Sequence, residues 1–263
     1  MKSALNLFCL VITLTALLFP IHAADPNSAT LTNTAIEPKP KIENDFYDWD
    51  KRHEDVLKTQ KEMLDNSKGP EIVMIGDSIT HMWGGEPKSN VVRGAKAWEA
   101  TFGKTPVLNM GFGWDRTQNV LWRLENGEFE GLAPKWVVLC IGTNNLTGTK
   151  NARENTPAEI VEGISLICDK IQQRAPQAQL IVMGVLPRGE KTNNPFRAKI
   201  KAINELLAKA IPEKKGIKFL DIGAHLLDAH GTLTKEMMPD GTHPSEVAYS
   251  IWGKALLYAG VGK

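Results

Sequence analysis

Four short blocks carry residue types able to do nucleophilic chemistry. The first is Gly76-Asp77-Ser78. A Ser at a strand-to-helix turn can lift its hydroxyl out of the fold, and Gly76 permits a tight turn beneath it. The last is Pro239-Asp240-Gly241-Thr242-His243-Pro244. There Asp and His are three apart in a Gly/Pro-bounded loop, close enough for the carboxylate to orient the imidazole, which then serves a Ser as general base. Between them, Gly142-Thr143-Asn144-Asn145 offers a side-chain amide that can donate to a developing oxyanion. In the stretch from Asn109 to Thr117, Gly111 and Gly113 let backbone approach a ligand, and free N–H groups at a helix start can hold an anion. Each block alone is ordinary: Gly-Asp-Ser is a common turn, Asn a common cap, and a lone His before a helix a surface residue. Their weight lies in their joint occurrence. The other histidines, His22, His53, His81, His225 and His230, take the bland reading, with a reservation for His81, three residues beyond Ser78.

These blocks need a scaffold, and the hydropathy pattern supplies one. Apolar runs at 71–75, 107–110, 136–141, 180–186 and 217–220 predict five strands, apolar on both faces as a helix-covered parallel sheet demands. Helical stripes lie between them: a helix over about 46–65, then Val120, Leu121 and Leu124, then Ile160 to Ile171 opened by Thr156-Pro157, then Phe196 to Leu207 behind Pro195. The last stripe is Val247, Ile251, Trp252, Ala255 and Leu256. The stretch 84–105 is the least regular and reads as a loop with a short helix. Alternation of this kind predicts an α/β fold, a three-layer α/β/α sandwich on a five-stranded parallel sheet with right-handed crossovers. Sites in such sheets lie at the carboxyl ends of the strands, where three of the four blocks fall; the fourth directly precedes the last helix.

Composition narrows the class. The chain has 263 residues, 31 Lys and Arg against 30 Asp and Glu, 42% hydrophobic residues and three Cys. One domain with a sizeable core suits this length. The balanced charge leaves no basic stripe for nucleic acid. The cysteines make neither a disulfide scaffold nor a zinc knuckle; Cys140 and Cys168 read as buried thiols. Residues 1–23 read as a secretory signal, with Lys2 before an apolar run ending at Phe19-Pro20 and small residues at Ala23-Ala24. The alternative is a retained membrane anchor. Residues 24–44 read as a flexible leader, and 45–263 as the domain, expected to be secreted or periplasmic with no stable membrane insertion once the signal is removed.

Taken in order, the four blocks resemble those of the SGNH (GDSL-type) hydrolase superfamily, over roughly residues 45–260. The run Asn109–Glu128 (NMGFGWDRTQNVLWRLENGE) and the run Pro134 to Asn145 are most similar to the branch of platelet-activating-factor acetylhydrolase catalytic subunits and their bacterial relatives. The resemblance implies a flavodoxin-like SGNH hydrolase fold and no cofactor or metal. It implies Ser78 as nucleophile, His243 as its base, Asp240 as the orienting carboxylate, and an oxyanion hole of the Ser78 amide, the Asn144 side chain and a third amide. That third position is usually a Gly before the Asp of the second block; here it is Trp114, with Gly113 one residue earlier supporting the loop. Ile79 stands where the signature has Leu.

The resemblance also implies a substrate class: short acyl esters, with acetyl on an extracellular saccharide as the leading expectation. Lysophospholipase- or thioesterase-type hydrolysis, acyl transfer and non-hydrolytic carbohydrate binding are the alternatives. Trp83 and Trp114 beside the site suit a sugar ring, or packing. Arg116 and Arg188 could bind an acidic group, although pairing with carboxylates is the commoner role. The sequon Asn145-Leu146-Thr147 is expected to carry no glycan, since one would block Asn144.

Overall fold

A computed structural model describes residues 32–43, 46–66, 69–211 and 214–262. The expected signal segment and residues 24–31 of the expected leader lie outside them. No helix among the described residues is long and apolar enough to cross a membrane.

Five strands form: β1 (Ile72–Gly76), β2 (Val107–Gly111), β3 (Trp136–Cys140), β4 (Gln179–Met183) and β5 (Ile217–Leu220). They make one parallel sheet in the order β2-β1-β3-β4-β5. The chain therefore reverses its winding direction at β1, and a crevice opens beyond the carboxyl ends of β1 and β3. Register places that edge level: Gly76 pairs with Gly111 on one side and Cys140 on the other. The expected run 180–186 stops as strand at Met183. The Gly184 N–H still reaches the Leu220 carbonyl at 2.9 Å, then the chain leaves the sheet through Pro187 and Arg188.

Side chains alternate between two cores, which makes the fold three-layered. Val73, Ile75, Val137, Leu139, Leu180 and Val182 face helices α1 (Trp49–Asn66), α4 (Thr117–Glu125), α5 (Pro157–Arg174) and α6 (Pro195–Ala210). Ile72, Met74, Val138, Ile181 and Met183 face α3 (Ala95–Phe102) and α7 (Glu246–Ala259). Helix starts follow the sequence. Thr156 and Glu159 form a reciprocal capping box before Pro157, and the Asn194 side chain accepts from the Phe196 N–H before α6. The buried face of α7 is rotated from the predicted one. Tyr249 and Gly253 are buried on it, whereas Val247 is 43% exposed.

The described part of the predicted leader is packed. Thr34–Ile36 forms a 3-10 turn against α4 and α5, with Ala35 fully buried. The Thr117 hydroxyl donates to the Ala35 carbonyl at 2.8 Å, and the Asn119 amide to the Lys39 carbonyl at 3.0 Å. Hydrogen bonds to α4, to α5 and to the loop before α5, and not an apolar stripe, hold this segment, so composition gave no sign of it. The two free cysteines among the described residues, Cys140 and Cys168, are buried.

A four-residue helix, α2 (Ser78–His81), starts directly after β1, with Asp77 as its cap: Oδ1 accepts from the Ile79 N–H at 2.9 Å. It lies so close to the sheet that two glycines are obligatory. A Cβ on Gly76 would stand 2.2 Å from Thr80 Oγ1, and one on Gly111 would stand 2.2 Å from the His81 nitrogen. Trp83, expected as a possible sugar contact, is fully buried below this helix. Its ring stacks on Trp252 at 4.5 Å and Tyr249 at 5.2 Å, and meets Trp98 edge-on. It therefore packs the core and cannot reach a ligand. Trp83→Ala is expected to cost about 3–5 kcal/mol in urea unfolding, the range for emptying a buried aromatic site; a loss under about 1 kcal/mol would contradict this packing role.

Burial pushes the Asp77 carboxyl up to about 7, against the opposing pull of the Ile79 amide. The unfolded chain releases this proton near the ordinary carboxylate range, whereas the folded chain keeps it to higher pH. Its contribution to stability is thus complete below about pH 4 and is lost as pH rises through about 7. Asp77→Asn keeps the cap acceptor and removes the titration. Melting temperatures across this window should fall with pH more steeply for the wild type than for Asp77→Asn; parallel curves would refute the assignment.

Candidate active site

The β1–α2 junction and the loop before α7 bring three of the predicted residues into line. His243 Nε2 stands 2.9 Å from Ser78 Oγ, and His243 Nδ1 stands 3.0 Å from Asp240 Oδ2. The Asp240 loop is self-organised: Oδ1 accepts from the Thr242 N–H at 3.0 Å and from the His243 N–H at 2.8 Å. Partial burial raises the Asp240 carboxyl pKa, but the His243 amide and ring and the Thr242 amide outweigh it, and the carboxyl falls to about 2. An ionised carboxylate only accepts, so the ring proton sits on Nδ1 and Nε2 is left to accept from the Ser78 hydroxyl.

Around this relay lies a cleft of about 290 Å³, walled by Phe46, Met82, Trp114, Asn144, Arg188 and Thr242. Asn144 opens a 3-10 turn after β3. Its Nδ2 donates one hydrogen to the Asp115 carbonyl at 3.0 Å, which fixes the amide and leaves the other hydrogen available. Trp114 is the third residue of a turn closed by the Asp115 N–H on the Phe112 carbonyl at 3.2 Å. Only that residue carries the positive φ, 60°, the pattern of a type II turn, where Gly is the usual occupant. A bulky residue is strained there, yet the amide remains. Among the described residues, neither the Ser78 nor the Trp114 backbone N–H has a protein acceptor. Gly113 supports the loop from behind: its carbonyl accepts from the Tyr47 hydroxyl at 3.0 Å, and its N–H donates to His81 Nδ1 at 3.3 Å. His81 is thus a buried packing residue. Burial and the Arg52, Arg123 and Lys41 charges hold its imidazole far down, at about 2, so it stays neutral.

A buried ionic cluster fixes the same loop. The Asp115 carboxylate accepts from Trp49 Nε1 at 2.7 Å and from Arg123 Nε at 2.8 Å; Arg123 also pairs with Glu128, which His53 meets at 2.8 Å.

The two arginines separate. Arg116 is 2% exposed and donates to the carbonyls of Thr147 at 2.8 Å and Arg153 at 3.2 Å. It clamps the loop that follows Asn144 and does not reach the cleft, so the expectation of a substrate contact fails there. Its carbonyl partners lie on that one loop and Glu43, at 3.9 Å, on a segment distant in the chain, a convergence that spacing cannot reveal. Arg188 does line the cleft. Asn145 is fully buried, its amide donating to Thr117, Gln118 and Asn155, so the sequon is closed to a glycan.

Sequence reasoning missed Arg93. It lies in the irregular stretch before α3, and its guanidinium reaches Asp240 Oδ2 at 3.0 Å, the oxygen that also faces His243. It missed Phe46 and Met82 as cleft walls too; neither belongs to a motif or a periodic stripe.

Comparison with known proteins agrees with this architecture. The GDSL-like Lipase/Acylhydrolase family matches residues 74–251. The alpha2 subunit of rat platelet-activating factor acetylhydrolase IB (Rattus norvegicus) is 36% identical over 183 residues, covering 70% of this chain and 72% of that protein. The human (Homo sapiens) alpha1 subunit is 36% identical over 189 residues, covering 72% and 74%. Among solved structures, a GDSL-like lipase from Bacteroides thetaiotaomicron aligns with a TM-score of 0.59 at 19% identity, over 79% of this chain and 97% of that one. A catalytic mutant of an acetylxylan esterase from Geobacillus stearothermophilus aligns with a TM-score of 0.58 at 18% identity, over 72% and 93%. With a family match across most of the domain and relatives of this identity and coverage, the chain belongs to the GDSL-like lipase/acylhydrolase family and is a carboxylic ester hydrolase.

Proposed function

We propose that the chain is a serine esterase that removes short acyl groups, acetyl above all, from saccharides, and that it works outside the cytoplasm behind the signal segment read at residues 1–23. The observation that carries the catalytic part is the continuous relay from Ser78 through His243 to Asp240, at 2.9 and 3.0 Å.

Ser78 Oγ attacks the ester carbonyl as its proton passes to His243 Nε2. The imidazolium that forms is balanced by ionised Asp240, itself held by Arg93. The carbonyl oxygen, now negative, accepts from the Ser78 and Trp114 N–H groups and from Asn144 Nδ2. These donors are set before substrate arrives, so no reorganisation is needed as charge develops. The alcohol leaves with the proton from His243. Water then attacks the acyl-enzyme by the same path, and Ser78 is regenerated.

Two features support the substrate. The cleft is small and has Phe46, Met82 and Trp114 among its walls, which suits a short acyl chain. Phe46 and Trp114 remain 41% and 38% exposed at its mouth, and such aromatic faces suit the apolar side of a sugar ring. The acetyl group also appears in the names of the relatives. Those relatives favour a second reading, a phospholipid ester, in which the same walls meet an aliphatic chain.

A panel of 4-nitrophenyl acetate, butyrate and octanoate, with acetylated xylan and a platelet-activating-factor-type phospholipid, separates the readings. Turnover is expected to peak at acetate and to include acetylated xylan. A peak at octanoate, or turnover of the phospholipid alone, would move the assignment to lipids; turnover no higher than in Ser78→Ala would end the esterase mechanism. Asn144→Ala should lower kcat about 10²–10³-fold with KM little changed, since that donor acts in the transition state. Asp240→Asn removes the charge that sets the ring tautomer and should lower kcat by about 10⁴. A loss under about tenfold would place Asp240 outside the mechanism.

A further inference from the structure

Two cavities meet at Arg188. One is the cleft over Ser78. The other, about 400 Å³, lies beside it, between the turn after β4 and the loop before α7, and Arg188, Asp240 and Thr242 line both. Arg188 Nη1 donates to Thr147 Oγ1 at 3.0 Å, and the guanidinium lies over the Phe196 ring, 4.3 Å from its centroid. These contacts hold the group in place without neutralising it. Among the described residues, Nη2 and Nε have no protein acceptor, and no carboxylate lies within ion-pairing distance of the guanidinium. Burial holds the guanidinium below the usual arginine range, with the Asp77 carboxyl acting the other way.

A positioned and partly desolvated cation, with one side of its planar fork unused, is suited to binding a carboxylate. The negative charges around this cavity each have a positive counterpart, Arg93 for Asp240 and Lys235 for Glu190. Both oxygens of Asp240 are already engaged, by Thr242, His243 and Arg93. Glu190 and Lys235 are exposed and of opposite sign. The volume lies within the range of small-ligand sites, about 300–1,000 Å³.

We propose that this second cavity receives the alcohol part of the ester and that Arg188 binds a carboxylate on it, so that the preferred substrates are O-acetylated acidic sugars. The assignment rests on the esterase reading above. It gives Arg188 a specificity role: the acyl group enters over Ser78, and the acid group of the same substrate anchors one cavity away.

The test is a matched pair, a methyl O-acetyl-glucuronoside and its neutral uronamide, with acetate release as the readout. The two differ only in the charge that Arg188 would meet. In the wild type, kcat/KM should favour the acid by about tenfold or more, as one charge-assisted hydrogen bond supplies. The preference should shrink with added salt, collapse toward unity in Arg188→Gln and survive in part in Arg188→Lys. Equal kcat/KM for the pair in the wild type would overturn the proposal and leave the esterase reading standing. An acid preference that persists in Arg188→Gln would remove the role from Arg188. No Ser78-dependent release from either sugar or from 4-nitrophenyl acetate would overturn both readings. If Arg188→Gln does not fold, the wild-type ratio and the Lys variant still decide.

Discussion

The site depends first on how Asp115 is held. Its carboxylate is buried and accepts from Trp49 of α1 and Arg123 of α4; its carbonyl accepts from Asn144 after β3; its N–H closes the turn that carries Trp114. One residue thus ties two helices and two strand ends to a common point, and two of the three proposed oxyanion donors take their positions from it. Burying such charges is expensive, and breaking a buried pair by removing one partner typically costs about 3–5 kcal/mol. Here Arg123 faces both Asp115 and Glu128 and offsets part of that cost, while burial still pushes the Asp115 carboxyl up to about 6. The loop is thus held through the side chain, the carbonyl and the N–H of a single residue.

Those anchors explain how Trp114 is tolerated. A left-handed tryptophan is a strained residue, and strain persists only where the surroundings over-determine the backbone. The turn is fixed on one side by Asp115 and on the other by Gly113 between Tyr47 and His81. The Trp114 N–H is left without a protein acceptor among the described residues, and the ring, 38% exposed, forms part of the wall.

Much of this was legible in the sequence, and the reasons are particular. The five strands were readable because strands covered on both faces must be apolar throughout. The residues at their carboxyl ends were readable because chemistry in a parallel sheet collects there. Ser78 and Asn144 follow the carboxyl ends of β1 and β3 as that logic expects, and Asp240 and His243 meet Ser78 from the loop before α7. What sequence could not give was the direction in which a large side chain points. Trp83 and Trp114 looked alike as aromatics near the site; one fills the core and the other faces solvent. Arg116 and Arg188 looked alike as basic residues near strand ends. Backbone carbonyls drew one inward, while the other found only a hydroxyl and an aromatic face. Arg93 was invisible because its partner Asp240 is distant in the chain. The 3-10 turn at Thr34 was hidden because one small apolar residue, Ala35, and hydrogen bonds to segments distant in the chain hold it.

The docking of the last helix sets the order in which competence can arise. His243 directly precedes α7, and α7 is fastened to the older part of the fold through Glu246 on the start of α3 and the Tyr249 hydroxyl on the Ile79 carbonyl at 2.7 Å. Ser78 and the proposed oxyanion donors belong to elements that precede it in the chain. During synthesis Ser78 is therefore made well before its base, and the wall of Asp240, Thr242 and His243 is the last part of the cleft to be added. Until the loop of His243 and α7 are in place, Ser78 has no imidazole beside it, and its hydroxyl is not activated.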